Sequence, residues 1–134
     1  MSIRLSGSGN VTDLHRLWRT EKQPQNIGSG VFVDGYVYRS NAESGKGLQC
    51  LDPTTDEIQW SQRTPAAAWG SIVKAENLLY FTGQDGTTID FRPNPQEYQE
   101  ISENELNESC NGTIAVSDGQ VFIRTDKHLF CIAE

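Results

Sequence analysis

The stretch WGSIVKAENLLYFTGQDG, Trp69 to Gly86, alternates apolar and polar residues, breaks at Glu76-Asn77, alternates again and ends on a Gln-Asp-Gly turn. Alternation at period two puts successive side chains on opposite faces of a strand, whereas an amphipathic helix repeats at about 3.6 residues. The stretch therefore predicts two short strands joined by a two-residue hairpin. It has a counterpart on either side. Asp34-Gly35 in VFVDGYVY and Asp118-Gly119 in IAVSDGQVF lie 42 residues before and after Glu76-Asn77. Asp-Gly suits a type I′ hairpin, in which both central residues take positive φ. Gly28, Gly70 and Gly112 keep the same spacing, as do Ser29, Ser71 and Thr113, and then Tyr38, Tyr80 and Phe122.

Each predicted hairpin leads into a third strand, GLQCLD, TTIDFR and HLFCIA in turn. A fourth follows twice, as IQWSQR and EYQEIS; Pro93 and Pro95 ahead of the second, and its place in the repeat, favour strand over helix. Four short antiparallel strands in a repeated unit of about 42 residues are the signature of a β-propeller blade. The expected fold is thus all-β, with about three blades and an incomplete ring. Trp18 in HRLWRTE stands 42 residues before Trp60 in IQWSQRT. This places outer strands of an incomplete blade in 1–24, with SIRL a candidate third strand and DLHRLWRTE a fourth. A blade is expected in 25–65, another in 66–107, and three strands of a further one in 108–134, all in one partial-propeller domain. An open arc exposes apolar blade faces and an unpaired third-strand edge. Two resolutions are expected: a piece of a larger propeller, or a homo-oligomer in which each HRLWRTE strand completes a neighbour's last blade.

Composition narrows the function. The 134 residues amount to one domain's worth and carry a net charge of −7. An acidic chain with scattered Lys and Arg argues against a nucleic-acid partner. No apolar run approaches the roughly 20 residues of a membrane span, and MSIRLSGSGNVTD has no apolar core of a secretory signal. The three cysteines, Cys50, Cys110 and Cys131, form no C-x-x-C pair. Cys50 and Cys131 sit in alternating apolar runs and are expected to be small buried hydrophobes.

One segment carries a family resemblance. CLDPTTDEIQW, from Cys50 to Trp60, resembles the tryptophan-docking motif of the PQQ-like (pyrroloquinoline-quinone-type) repeat propellers, which runs small-x-Asp-x-x-Thr-Gly-x-x-x-Trp. Asp52, Thr55 and Trp60 fall on its Asp, Thr and Trp; Cys50 takes the small position and Asp56 stands where the family has Gly. Asp and Thr are expected to close the turn through local side-chain bonds, and Trp to lie between blades, burying on the order of 200 Å². Trp18 implies a second copy, and FRPNPQEYQEI is a decayed one without Trp. The resemblance implies a repeat shared by quinone-dependent dehydrogenases and by non-catalytic, mostly extracytoplasmic bacterial propellers. Its enzymes hold calcium on acidic and amide side chains, use an Asp base and often carry a disulfide between adjacent cysteines. None of these is recognisable here, so neither PQQ nor calcium is expected as a cofactor. Compartment stays open, because the family's extracytoplasmic habit finds no leader in this chain.

Catalytic signatures are wanting. His15 and His128, expected in an outer and a third strand, read as surface or satisfied residues; no G-x-S-x-G elbow, phosphate loop or metal-ligand spacing occurs. One constellation remains. The entries to the innermost strands read QNIGSG, AWGSI and CNGTI. Innermost strands line a propeller's channel, so Asn26, Ser29, Trp69, Ser71, Asn111 and Thr113 are the candidate ligand- or partner-binding rim. Small residues crowded at the axis would give the same pattern. The leading expectation is a non-catalytic binding or scaffold propeller with a protein or small-ligand partner. The alternatives are a fragment of a quinoprotein dehydrogenase and a small-ligand or glycan binder at the channel mouth.

Overall fold

The structure, a computed structural model, describes residues 2–4, 6–19, 28–40 and 47–133. It is all-β apart from one helical turn, and its strands form four antiparallel sheets that follow one another along the chain. The N-terminal pair is β1 (Ser2–Ile3) with β2 (Arg16–Trp18). The first full sheet runs β3 (Val31–Val33), β4 (Tyr36–Ser40), β5 (Leu48–Leu51) and β6 (Ile58–Gln62) in that order. The second full sheet runs β7 (Val73–Ala75), β8 (Leu78–Thr82), β9 (Thr87–Arg92) and β10 (Gln99–Glu105). The C-terminal sheet holds β11 (Ala115–Ser117), β12 (Gln120–Arg124) and β13 (Leu129–Ile132). Neighbours in sequence are neighbours in each sheet, and among the described residues the sheets close no ring.

Local chemistry explains the turns. Asp34 and Gly35 have φ of 47° and 91°, and Asp118 and Gly119 have 50° and 73°, as a type I′ hairpin requires; Glu76 matches at 49°, but Asn77, expected to take positive φ as well, does not. The register then repeats: Val31 faces Tyr38, Val73 faces Tyr80, and Ala115 faces Phe122. One segment departs from expectation. DLHRLWRTE was expected as a strand, but Thr12–His15 form a helical turn, α1, ahead of β2. The Asn10 side chain accepts the Thr12 N–H at 3.1 Å, and the His15 N–H reaches the Val11 carbonyl at 2.9 Å. An Asx turn closed this way offers the backbone a local alternative to the ladder. His15 accordingly lies in α1, with Nδ1 3.1 Å from the Ser6 hydroxyl.

Two apolar clusters hold consecutive sheets together. Tyr38, Leu48 and Cys50 of the first full sheet pack with Leu79, Phe81, Ile89 and Phe91 of the second. Trp60 and Tyr98 seal that cluster at its outer side, their ring centroids 5.4 Å apart and each near Phe91, at 6.3 and 5.6 Å. Burial pushes the Tyr38 and Tyr98 hydroxyls well above the usual tyrosine range. The second cluster is smaller: Cys110, Ile114 and Ile123 against Val73, Tyr80, Leu106, Val121 and Phe130. Strand β8 thus serves both, with Leu79 and Phe81 on one face and Tyr80 on the other.

The cysteines divide. Cys50 and Cys110 are buried, whereas Cys131 is exposed, against expectation, and all three are free thiols. The cause is an open sheet face. Cys131 stands where Cys50 does in the first full sheet, but among the described residues no following sheet packs on that face, and Leu129 on the same side is 69% exposed.

Candidate functional site

The candidate rim is built by the segments that lead into β3, β7 and β11. Ser29, Ser71 and Thr113 occupy equivalent places, and a relay joins them. The Ser29 N–H donates to the Ser71 hydroxyl at 2.9 Å, and the Ser71 N–H donates to the Thr113 hydroxyl at 2.9 Å, each across 42 residues. The Ile72 N–H completes the contact on the Ser29 carbonyl at 3.2 Å. The backbones approach so closely that side chains are excluded. A Cβ on Gly28 would lie 2.1 Å from the Gly70 oxygen, and one on Gly70 would lie 2.5 Å from the Gly112 oxygen. Gly112, with no sheet beyond it among the described residues, would meet the Arg124 oxygen only at 3.5 Å.

Further bonds fix the same end of the sheets. The Gln84 N–H reaches the Ala67 carbonyl at 2.8 Å, and one repeat later the Asp126 N–H reaches the Ser109 carbonyl at 2.9 Å. The Gln84 side chain donates to the Asn111 side-chain oxygen at 3.1 Å. Trp69 is 51% exposed, a large apolar side chain standing free on this rim. Ser29, Ser71 and Thr113 are therefore brought together, Asn111 is tied to the neighbouring turn, and Asn26 lies outside the described residues.

A polar cluster that sequence reading missed sits nearby. The Thr125 hydroxyl donates to Glu108 Oε2 at 2.6 Å, and His128 Nδ1 lies 2.7 Å from Glu108 Oε1. The Thr125 hydroxyl, then His128 and Lys127, hold the Glu108 carboxyl below its ordinary range. His128 stands in the turn before β13, not within the strand as expected. One repeat earlier the same three positions are Ala66, Gly83 and Gly86, so register comparison was the signal that could have found the cluster.

The segment that resembles the docking motif forms a tight turn. The Asp52 carboxylate accepts the Thr54 N–H at 2.7 Å and the Thr54 hydroxyl at 2.6 Å, which lowers its pKa. The Thr55 hydroxyl accepts the Glu57 N–H at 3.3 Å. Asp56, at the position where the family has Gly, has φ of 66°, the left-handed region that glycine favours. Trp60 Nε1 donates to the Asn94 carbonyl, and Trp18 Nε1 to the Pro53 carbonyl, both at 2.7 Å. Each tryptophan thus reaches the third-to-fourth-strand turn of the following sheet.

No family model matches the sequence, and no curated protein matches it. Solved structures do. A europium-containing methanol dehydrogenase superposes with a TM-score of 0.59 at 17% identity, over 79% of this chain and 21% of its own. The computationally designed Ika4 protein superposes with a TM-score of 0.53 at 9% identity, over 88% of this chain and 97% of its own. BamB from Moraxella catarrhalis gives a TM-score of 0.44 at 13% identity, over 78% of this chain and 41% of its own. The chain therefore spans about a fifth of the dehydrogenase it matches. At these identities the likeness shows the fold alone: an all-β, propeller-like succession of blades. Among the described residues no helix is long and apolar enough to cross a membrane.

Proposed function

We propose that this chain is a non-catalytic propeller segment of the PQQ-like repeat type that acts as a binding or scaffold module. The observation that carries the reading is the use made of the rim. The hydroxyls of Ser71 and Thr113, which a ligand site at the channel mouth would turn toward its ligand, accept backbone N–H groups of the preceding sheet. The tryptophans support the repeat type, because Trp18 and Trp60 make the same kind of bond to successive sheets. The module's partner is a protein or a small ligand. The edge of β13, uncovered among the described residues, is offered to a fourth strand, and on this reading β2 of a second copy supplies it, carrying Trp18 to the place that Trp60 takes on the first full sheet.

The alternative is a fragment of a quinoprotein dehydrogenase, and it predicts that PQQ with calcium binds the folded chain. The melting temperature of the chain, with and without both, decides between them. No change is expected, and a rise of several degrees at saturating cofactor would replace this reading with the enzymatic one.

A further inference from the structure

Away from the rim, the first two hairpins and the turn between β9 and β10 border an open cleft of about 570 Å³. Its lining comes from both full sheets. Val33 and Asp34 belong to the first hairpin, Lys74 and Asn77 to the second, and Arg92 through Gln96 with Gln99 to the turn between β9 and β10. A volume of this order is within the usual range for small-ligand sites.

The cleft is where the repeat breaks its own pattern. The middle residue of the innermost strand is Phe32 in the first full sheet, 64% exposed, and Val116 in the C-terminal sheet, 37% exposed; between them stands Lys74. Arg92 is a second departure. Leu51 and Phe91 occupy equivalent rungs opposite Val37 and Leu79, so the next residue is Asp52 in one sheet and Arg92 in the other. The turn that follows differs too. Six residues separate the rung Leu51–Ile58, but eight separate Phe91–Glu100. Packing accounts for the longer turn, which brings Tyr98 against Trp60 and Phe91, but not for the two cations, since the first full sheet folds with an apolar residue and an acid in their places.

The added wall is preformed. Pro93 and Pro95 fix two φ angles, Asn94 accepts the Gln96 N–H on its side chain at 2.9 Å, and Trp60 holds the Asn94 carbonyl at 2.7 Å. Its charges are unspent. Among the described residues one ion pair lies within 4.0 Å, His128 with Glu108, so Asp34, Lys74 and Arg92 share the cleft without pairing. Lys74 Nζ meets the Glu76 carbonyl at 2.6 Å, which orients the ammonium and leaves it two further donors. Two cations facing one cavity in a chain of net charge −7 mark a place for carboxylate groups. Asp34 asks in addition for a donor on the ligand.

We infer that this cleft binds an acidic amino acid or the acidic segment of a peptide, with Lys74 and Arg92 taking its carboxylates and Asp34 an N–H. The inference rests on the reading of the chain as a binding module and gives it a place and a ligand class. Titration of the ¹⁵N-labelled chain with glutamate, and separately with a capped Glu-Asp-Glu peptide, followed by amide chemical shifts, tests it. Saturable shifts confined to residues 33–35, 74–77 and 92–99 are expected with at least one probe. Glutamate alone would identify the free amino acid, and the capped peptide alone a chain segment. In the Lys74→Gln/Arg92→Gln variant the affinity should fall at least tenfold with an unchanged melting temperature, because both side chains lie at the protein surface. Absence of saturable shifts with both probes, or the same shifts in the variant, would overturn the inference. A melting-temperature rise with PQQ and calcium would instead overturn the non-catalytic reading while leaving these shifts in place.

Discussion

The two interfaces between consecutive sheets share their inner half and differ in their outer half. At the axis both use the same device, a backbone N–H donated to the next sheet's hydroxyl at 2.9 Å and a glycine pressed against the next sheet's backbone. On the outside, the first interface carries Trp60, packed with Phe91 and Tyr98. The second has Ser102 at the equivalent place, bonded to Asp90 of its own sheet, and no ring crosses to the C-terminal sheet from there. The axis contact is therefore common to both interfaces, and the aromatic seal belongs to the first.

The sharpest way to break this contrast is Trp60→Ala. It removes the outer seal of the larger cluster and is expected to cost about 3 kcal/mol, read as a lowered urea midpoint. An unchanged midpoint would mean that the rings add little beyond what the axis provides. Next in size is Gly70→Ala. Its Cβ would stand 2.5 Å from a carbonyl oxygen, so a loss of about 2 kcal/mol is expected, whereas Gly112→Ala, with 3.5 Å of room, should stay near wild type. Equal effects at the two glycines would refute close approach as the reason for Gly70. The smallest effect belongs to the hydroxyls. Ser71→Ala and Thr113→Val each delete one acceptor, and each should cost about 1 kcal/mol or less. Similar losses at the two sites would support a common device at the axis, and a clear inequality would show that the two interfaces differ there too.

Much of this architecture was legible in the sequence because it repeats. Three hairpins at one spacing fix strands, turns and register at once, and β9 occupies the residues expected of TTIDFR. What stayed hidden depends on contacts that no spacing encodes. The helical turn at Thr12–His15 turns on an Asn10 side chain choosing its neighbour's N–H. The exposure of Cys131 follows from its sheet face lacking a following sheet among the described residues, although its apolar alternation is that of a buried strand. The rim residues were placed at one end of the sheets by register, but that Ser71 and Thr113 serve the backbone of another sheet could not be read from residue type. Lys74 and Arg92 passed as scattered surface charge. They became conspicuous only when set beside Phe32 and Asp52, their counterparts in the first full sheet.

The hydroxyl relay also has a polarity. Ser71 satisfies Ser29, and Thr113 satisfies Ser71, so each sheet gives its hydroxyl to the one before it and keeps none for itself. Between the first two sheets the exchange is mutual, because the Ile72 N–H answers on the Ser29 carbonyl at 3.2 Å. Detaching the C-terminal sheet would orphan the Ser71 N–H, and detaching the first would orphan that of Ile72. Synthesis from the amino end nevertheless delivers each hydroxyl-bound donor before the residue that steadies it.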